Sequence, residues 1–446
     1  MNNPSSSSGF RPVATAGPRI SQLFLLDTLK DQDTIQAVLE NYQGIFAALR
    51  GQPVHYIILV TFDIPRAAQL GIQEAAFRTQ VASFATQVQA AVPPGSRLDL
   101  RMLSTDEMCA LLRQGIPNTP TCQKCVDCDS LQFPSIFGQD PFIALDYGPD
   151  FLTMLSSVVS PVAFSYSFVA GAIANGEPHD LRLVYPTRLN LVGGNLLPQP
   201  DYAIVGQDTY LDNQNNPLLE VGGALPSGGY EQEAITEQLR RQLGVKKIFW
   251  TGTSSDIPSY PYFQQGKRQP AFHVDFYLTP AGPQVDPQSG ERYELIFVGQ
   301  LELYAPQTDR SSANILQLMA RGLEEAARYF AGQTTPAGLP FRVVRIPLLF
   351  VGINPERTVI NKLLSFNQVL LQSERGKTTV FLPDYTGPEG GAPAPEYAPW
   401  QQKAIEIYTA QGFEVVVVKG RFRTYSFYNG GSLHCMAKIT ARGDDR

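Results

Sequence analysis

The sequence predicts an α/β protein in which a helix–strand module is repeated, as in a propeller or barrel and unlike one open doubly wound sheet. Three observations support this prediction. A helical segment that ends at Gly or Pro and leads into a β-branched strand occurs four times in the 446 residues. Short strands lie between these units at a spacing typical of repeats. The stretches rich in Pro and Gly resemble surface loops, which favours one large domain.

The four units have the spacing of amphipathic helices followed by buried strands. In the second unit, apolar residues recur at helical spacing from Ile235 through Leu239 to Leu243, and Gly244 follows as a suitable C-cap. The strands that follow are rich in Val, Ile and Phe, as expected beneath a layer of helices. The units cover residues 77–103, 231–251, 315–351 and 400–418, and further short strands are predicted at 55–63, 202–208, 272–278, 368–372 and 378–383.

The composition limits the classes of partner. Hydrophobic residues make up 43% of the chain, enough for a large core, and the formal net charge is -6. A mildly acidic protein gains little from attraction to phosphates, so we expect no nucleic-acid partner. Acidic groups gathered in a pocket would instead suit a cationic substrate.

The N-terminal segment and the longest apolar run indicate the domain organisation and the expected location of the protein. Residues 1–20 are polar and rich in Ser, Pro and Gly, which predicts a disordered segment without a secretory signal. The longest apolar run, 158–174, is interrupted and falls short of the roughly 20 residues needed to cross a bilayer, so no membrane association is expected. We expect residues 21–446 to form a single catalytic domain in the cytoplasm, with the oligomeric state left open.

Four of the five cysteines lie close together in a predicted insertion at about 105–132. Four thiolates can enclose a structural zinc ion or hold an iron–sulfur cluster. The spacing differs from that of common zinc ribbons, so a Cys-rich surface loop, or disulfides if the protein is exported, is slightly favoured over a structural metal, and a catalytic metal is not expected. The candidate ligands are Cys109, Cys122, Cys125 and Cys128.

The fifth cysteine is a candidate nucleophile. Cys435 follows the Gly430–Gly431 pair and precedes an apolar strand, which can place its sulfur at a strand end facing a cleft. In the predicted strand 272–278, His273 and Asp275 would point to the same face. His434 would point away from Cys435 in a strand, so it is not expected to be the catalytic base. Each of these residues could equally be structural.

Three further segments carry candidate site residues. Two carboxylates flank an apolar stretch ahead of a Gly-Pro turn, a Gly-Gly-Asn sequence lies between apolar strands, and an asparagine precedes a late strand. Taken separately, each of these segments could simply form a turn between strands. The residues are Asp140, Asp146, Gly193, Asn195 and Asn367.

Taken together and in this order, the segments resemble the family of agmatine deiminases and bacterial peptidylarginine deiminases, in the guanidine-modifying pentein superfamily. HVD at 273–275 resembles its His-x-Asp motif, GGSLHC at 430–435 its Gly-Gly-x-x-His-Cys motif, and LDYGP at 145–149 its Arg-Asp-x-Gly-Pro motif. LVGGN at 191–195 and SFNQVLL at 365–371 are similar to two further family segments. The resemblance runs from about residue 135 to 440, and it implies a five-bladed, pseudo-symmetric α/β-propeller around a negative channel.

The resemblance also implies roles for individual residues. Cys435 would attack the carbon of a guanidinium group, and His273 would protonate the departing ammonia and then activate water. Asp146 and Asp275 would hold the guanidinium nitrogens, a match that charge-assisted bidentate bonds favour. Asn367 would line the site, and the Gly193–Asn195 segment would border the substrate. No cofactor is implied for this chemistry, and the partner would be a guanidino small molecule or an arginine-containing peptide.

The sequence also departs from the family pattern. Val192 replaces an acid that often precedes the Gly pair, which makes free agmatine a less favoured substrate, and Leu145 replaces an arginine. An alternative alignment, to an Arg-Asp-Pro-Phe motif, makes Asp140 and not Asp146 the substrate ligand. Two other functions stay open: amidinotransfer on the same fold, and a non-catalytic binding module. A papain-like hydrolase finds no support, because no Cys-then-His order is present.

Overall fold

The computed structural model is an α/β structure in which helices pack on small sheets, as predicted. Among the described residues, no helix is both long enough and apolar enough to cross a bilayer. The structure describes the whole chain apart from residues 1–10, 114–137, 147–151, 158, 160, 176–183, 220–228, 253–268, 272, 305–309, 354–360, 390–391, 430 and 444–446.

The described strands are numbered in chain order. They are β1 (Arg11–Pro12), β2 (Ile20–Leu29), β3 (His55–Phe62), β4 (Arg97–Ser104), β5 (Ile143–Asp146), β6 (Thr153–Ser157), β7 (Val184–Thr187), β8 (Leu196–Pro198), β9 (Tyr202–Gly206), β10 (Lys247–Thr251), β11 (Leu278–Val285), β12 (Arg292–Leu303), β13 (Phe341–Ile353), β14 (Asn361–Ser365), β15 (Leu370–Glu374), β16 (Lys377–Pro383), β17 (Glu414–Val418) and β18 (Ala437–Arg442).

The described α-helices connect or cover these strands. They are α1 (Gln32–Ala48), α2 (Ile64–Gln69), α3 (Glu74–Ala91), α4 (Thr105–Arg113), α5 (Pro161–Asn175), α6 (Gln207–Gln214), α7 (Gln232–Leu243), α8 (Arg310–Ala331), α9 (Ala398–Ala410), α10 (Phe422–Asn429) and α11 (Leu433–Met436). Short 3-10 helices add one turn each at Gly193–Asn195, Val274–Phe276 and Pro395–Tyr397.

The described strands form five sheets that share one pattern. Each contains three strands of which the first two are antiparallel and the last two parallel, namely β5-β6-β7, β8-β9-β10, β11-β12-β13, β15-β16-β17 and β18-β2-β3. A parallel pair needs a crossover, and one or two helices lie between the parallel strands in each case. This repetition confirms the repeated module that the sequence predicts.

The second unit shows how the sequence produces such a module. In α7, Ile235, Leu239 and Leu243 are fully buried, while basic and acidic side chains occupy the exposed face. The helix ends at Gly244, which has a left-handed φ of 66° that a glycine adopts without strain. The chain then enters β10, which pairs in parallel with β9.

The sheet of β18, β2, β3 and β4 closes the chain on itself. All eight residues of β3 are buried, and Tyr56 packs edge-on against Phe46 of α1 with ring centroids 4.6 Å apart. The last strand, β18, pairs antiparallel with β2 near the start of the chain. Because Cys435 lies just before β18, the candidate nucleophile is anchored to this rigid core.

The predicted disordered segment 1–20 needs a new boundary. Residues 1–10 lie outside the described part, but β1 pairs antiparallel with β5, and the amide of Val13 donates to Ala144 O at 2.9 Å. The guanidinium of Arg442 donates to several carbonyls of the N-terminal segment, including Ala14 O at 3.0 Å and Pro18 O at 2.6 Å. Backbone acceptors with fixed partners do not behave as a disordered tail.

The Cys-rich segment is described only in part. Cys109 is buried in α4, beside Leu103 and Met108. Within the described ranges, no three His, Cys, Asp or Glu side chains are arranged to hold a metal ion. The remaining candidate ligands, Cys122, Cys125 and Cys128, fall outside those ranges, so the structural metal stays a prediction.

Candidate active site

The candidate nucleophile lies in the single-turn helix α11. Cys435 is 2% exposed, and its amide donates to Gln368 Oε1 at 3.2 Å. Its carbonyl accepts a hydrogen bond from the amide of Gln139 at 2.9 Å. The sulfur lies 3.5 Å from Asp275 Oδ2. The backbone of Cys435 is therefore fixed from two sides while its thiol faces a carboxylate.

The residue before the nucleophile also reaches the site, contrary to prediction. His434 Nδ1 lies 2.9 Å from Asp275 Oδ2, the same oxygen that Cys435 Sγ approaches. The prediction assumed a strand, in which neighbouring side chains point to opposite faces. The segment is helical instead, so neighbours differ by about 100° and both can face one carboxylate.

The His273–Asp275 pair is held by a turn and not by the predicted strand. Val274–Phe276 form a 3-10 helix, and β11 begins only at Leu278. The amide of Phe276 donates to His273 O at 3.2 Å and closes this turn. Of the described residues of the predicted strand 272–278, only Leu278 is in a strand, so that prediction is wrong for 273–277. Both side chains are nevertheless buried, at 7% and 1% exposure, and they converge on the same site.

Of the two candidate carboxylates near residue 143, the structure brings only Asp140 to the imidazole. Asp140 Oδ1 lies 3.6 Å from His273 Nδ1 and accepts a hydrogen bond from the amide of Gly194 at 3.3 Å. The amide of Gly193 donates to Asp140 O at 3.1 Å. Asp146, favoured in the sequence analysis, is an exposed residue at the end of β5, opposite Arg11 in the β1 register.

Gly194 marks the point where the three polar side chains meet. A methyl group at this position would lie 2.6 Å from His273 Nδ1, 3.0 Å from Asp140 Oδ1 and 3.3 Å from Asp275 Oδ2. These distances are shorter than van der Waals contact, so only glycine leaves the cluster undisturbed. The next residue, Asn195, is 4% exposed and donates from Nδ2 to Thr209 Oγ1 at 3.1 Å.

We expect Gly194→Ala to lower kcat/KM for the substrate by about 10²-fold, because small displacements of reacting groups have effects of this size. The free energy of unfolding should change much less, since the three atoms nearest to the added methyl all belong to side chains. Gly352→Ala is the matched control, because a methyl there has no neighbour within 4 Å. Steady-state kinetics and thermal unfolding of both variants provide the measurement. Wild-type kinetics in Gly194→Ala would contradict the position assigned to this cluster.

Asn367 lies behind the site. Its Oδ1 accepts a hydrogen bond from Thr279 Oγ1 at 2.9 Å, and its amide donates to Ser365 Oγ at 3.1 Å. The adjacent Gln368, which the sequence analysis did not single out, is the residue that contacts Cys435 directly. The predicted strand 368–372 begins later, at Leu370, which leaves Gln368 in a turn that faces the candidate nucleophile.

Burial and neighbouring charges shift the pKa values of two groups in the site, Cys435 and Asp140. Burial, followed by the carboxylates of Asp275 and Asp140, raises the pKa of the Cys435 thiol well above its ordinary value. Burial also raises the pKa of Asp140, an effect that His273 opposes. A buried site with two carboxylates, and with a thiol whose pKa is raised, favours the binding of a cation at its centre.

Five separate segments supply this cluster, and each directly precedes the first strand of one three-stranded unit. Direct contacts link all five. They are residues 139–140 before β5, 193–195 before β8, 273–275 before β11, 367–368 before β15 and 433–436 before β18. Equivalent positions of a repeated module thus meet at one place.

Comparison with known proteins places the fold. No protein-family model and no curated protein sequence matches the chain. Solved structures do match over nearly the whole length. A protein assigned as an agmatine deiminase covers 98% of this chain and 97% of its own, with a TM-score of 0.54 and 14% identity. The agmatine deiminase of Enterococcus faecalis gives the same coverages, with a TM-score of 0.52 and 14% identity.

A third structure, assigned as a peptidyl-arginine deiminase, covers 98% of this chain and 100% of its own, with a TM-score of 0.53 and 14% identity. The chain therefore has the mixed α/β fold of the agmatine deiminase structures, the pentein fold. The resemblance inferred from the motifs is confirmed at the level of the fold.

Proposed function

We propose that this protein is a deiminase that hydrolyses a guanidino group to a ureido group and ammonia. One observation carries the proposal. Asp275 Oδ1 is buried and has no hydrogen-bond partner among the described residues, while Oδ2 faces the thiol and His434. An orphaned buried acceptor is unfavourable by about 1–3 kcal/mol, so it is expected where a ligand supplies the donor. A guanidinium presents such donors in a plane.

The proposed reaction has two halves. In the first, the Cys435 thiol gives its proton to His273 and the sulfur bonds to the guanidinium carbon. The C–N bond to the departing nitrogen then breaks, and His273 returns the proton so that ammonia leaves. In the second half, His273 takes a proton from water as the water oxygen bonds to the carbon. The C–S bond then breaks, His273 returns that proton to the sulfur, and the hydroxyl proton is lost to solvent as the ureido carbonyl forms. This acid-then-base use of one imidazole is typical of covalent hydrolysis.

In this proposal, the cationic substrate supplies the positive charge that stabilises the Cys435 thiolate. Burial and two carboxylates disfavour the Cys435 thiolate, as described above. A guanidinium between Asp140 and Asp275 neutralises these carboxylates and adds a positive charge beside the sulfur. The thiolate is therefore favoured only when substrate is bound. No cofactor takes part in this scheme.

The placement of the carboxylates leads us to propose Asp140, and not Asp146, as the second guanidinium ligand. Asp140→Asn should then lower kcat/KM by about 10²-fold or more, because a charge-assisted pair is lost. Asp146→Asn should stay within about twofold of wild type, as is usual for an exposed position. Steady-state kinetics of both purified variants decide between them. A larger loss in Asp146→Asn would restore the assignment made from the motif alone.

We further propose that the five sheets are the blades of a propeller around this site. The shared strand pattern of the five three-stranded units supports this arrangement. The origin of the site from five equivalent positions also supports it, because a central axis brings such positions together.

The substrate is proposed to be peptidyl-arginine, an arginine derivative or agmatine. The test is to measure ureido product and ammonia with free arginine, agmatine and an arginine-containing peptide, without any amine acceptor. Stoichiometric ammonia and ureido product support hydrolysis. Turnover that requires an added amine and releases little ammonia would indicate amidinotransfer. No turnover of any guanidino compound would favour a non-catalytic binding module.

A further inference from the structure

The strand behind the nucleophile carries a buried lysine that the proposed reaction does not use. Lys438, on β18, is 5% exposed and lies three residues after Cys435. Its Nζ donates to Gln139 O at 2.9 Å and lies 5.3 Å from the centre of the Phe142 ring. Lysines are almost never fully buried without a partner, so this position calls for a functional explanation.

The contacts of Lys438 lead directly to Asp140. Gln139, whose carbonyl accepts the hydrogen bond from Lys438 Nζ, also donates from its amide to Cys435 O at 2.9 Å. The next residue is Asp140, whose own carbonyl and carboxylate accept hydrogen bonds from Gly193 and Gly194. The ammonium group thus fixes the same short segment that the nucleophile and the Gly pair hold.

Several polar and charged groups of the described residues surround this pair. Asp140 faces the His273 imidazole, the Asp275 carboxylate, the Gly194 amide and Lys438. Lys438 in turn interacts with the carboxylates of Asp140 and Asp275, and it lines one small cavity together with His434. Two buried carboxylates repel each other, and the lysine is the cation placed to offset that repulsion.

We propose that Lys438 is a positioning residue, which fixes the Gln139–Asp140 segment and supplies the positive charge that keeps the Asp140 carboxylate ionised opposite His273. The catalytic value of this role rests on the proposed deiminase function. The effect of Lys438 on the ionisation of Asp140 can be measured without it. Lys438 lowers the pKa of Asp140, and burial lowers the pKa of Lys438 itself to about 7. The supporting charge is therefore present below about pH 7 and is lost above it, so it acts on the acid side, where Asp140 would otherwise be protonated.

The kinetic test compares Lys438→Met, which removes the charge, with Lys438→Arg, which keeps it. We expect the acid limb of the kcat/KM profile of Lys438→Met to move up by about one pH unit, the lower end of what a nearby opposite charge contributes. Lys438→Arg should retain the wild-type limb. Lys438→Gln, which keeps a donor for Gln139 O, should shift as far as Lys438→Met. A wild-type limb in both neutral variants would overturn the proposal.

A second measurement does not depend on turnover. The 13C carboxyl signal of Asp140, assigned by its absence in Asp140→Asn, reports the ionisation midpoint of this group in the free protein. We expect the midpoint to rise in Lys438→Gln relative to wild type. An unchanged midpoint would overturn the inference even if the protein is a deiminase, whereas a shifted midpoint without turnover of any guanidine would leave it standing and reject the proposed function. Thermal unfolding of each variant confirms that the comparison is between folded proteins.

Discussion

Replacing Cys435 with alanine is expected to abolish formation of the ureido product, with kcat/KM falling by at least roughly 10⁴-fold, as for other enzymes that lose a covalent nucleophile. The structure gives the reason, because Cys435 Sγ lies 3.5 Å from Asp275, the carboxylate proposed to bind the guanidinium. The fold should persist, since the change removes one sulfur from a backbone that Gln368 and Gln139 hold. Ammonia release and a ureido colour assay give the measurement.

Cys109→Ala is the matched control, because Cys109 is also buried but lies in α4 among Leu103 and Met108. This variant should keep wild-type turnover. Intact mass after acid quenching should show a thiouronium adduct in wild type and in Cys109→Ala, and none in Cys435→Ala. Ammonia release that survives in Cys435→Ala would reject the nucleophile and the mechanism built on it.

The fold was predictable wherever local pattern determines it. The helical spacing of Ile235, Leu239 and Leu243 and the C-cap at Gly244 belong to the sequence and reappear in α7. The pairing of β18 with β2 was not predictable, because it joins opposite ends of the chain and no local signal specifies it. The N-terminal boundary was missed for the same reason, since β1 is ordered by β5 and by Arg442.

The residue types of the candidate site were easier to predict than their geometry. Motifs identified Cys435, His273 and Asp275, and the structure brings all three together. Their backbone forms short helical turns and not strands. Hydrophobic alternation predicts strands, but it does not predict the conformation of short polar segments at a functional site, where local sequence rules often fail. His434 was therefore assigned to the wrong face.

Lys438 and Gln368 were overlooked because neither type signals a site in sequence. A lysine in a strand is ordinarily exposed, and a glutamine before a strand is ordinarily a turn residue. Only the burial of Lys438 and the contact from Gln368 to the candidate nucleophile single them out. No local signal marked Lys438, because residues 437–442 alternate apolar and polar side chains as in an ordinary half-exposed strand.

The second large effect is expected at Asp275, where activity and thiol reactivity should change in opposite directions. Asp275→Asn removes the charge that the proposed guanidinium needs, so kcat/KM should fall by about 10³-fold, the size of losing one preorganised electrostatic partner. The same carboxylate raises the pKa of the Cys435 thiol, second only to burial. Its removal lowers that pKa, so the free enzyme should react faster with iodoacetamide at a given pH below the thiol pKa, although it turns over more slowly.

This combination separates an electrostatic role from simple damage. A misfolded site would also expose Cys435 and lower its alkylation midpoint, because burial is the largest cause of its raised pKa. The thermal unfolding transition of Asp275→Asn must therefore match that of wild type for the shift to be assigned to the lost charge. Glu294→Gln is the matched control, because Glu294 is another buried carboxyl whose pKa burial raises to about 7, and its partner is Tyr202 at 2.7 Å and no group of the site. It should leave both the turnover and the alkylation profile unchanged. If Asp275→Asn raises the midpoint of Cys435 alkylation, Asp275 does not disfavour the thiolate, and the idea that the substrate's own charge activates the nucleophile fails.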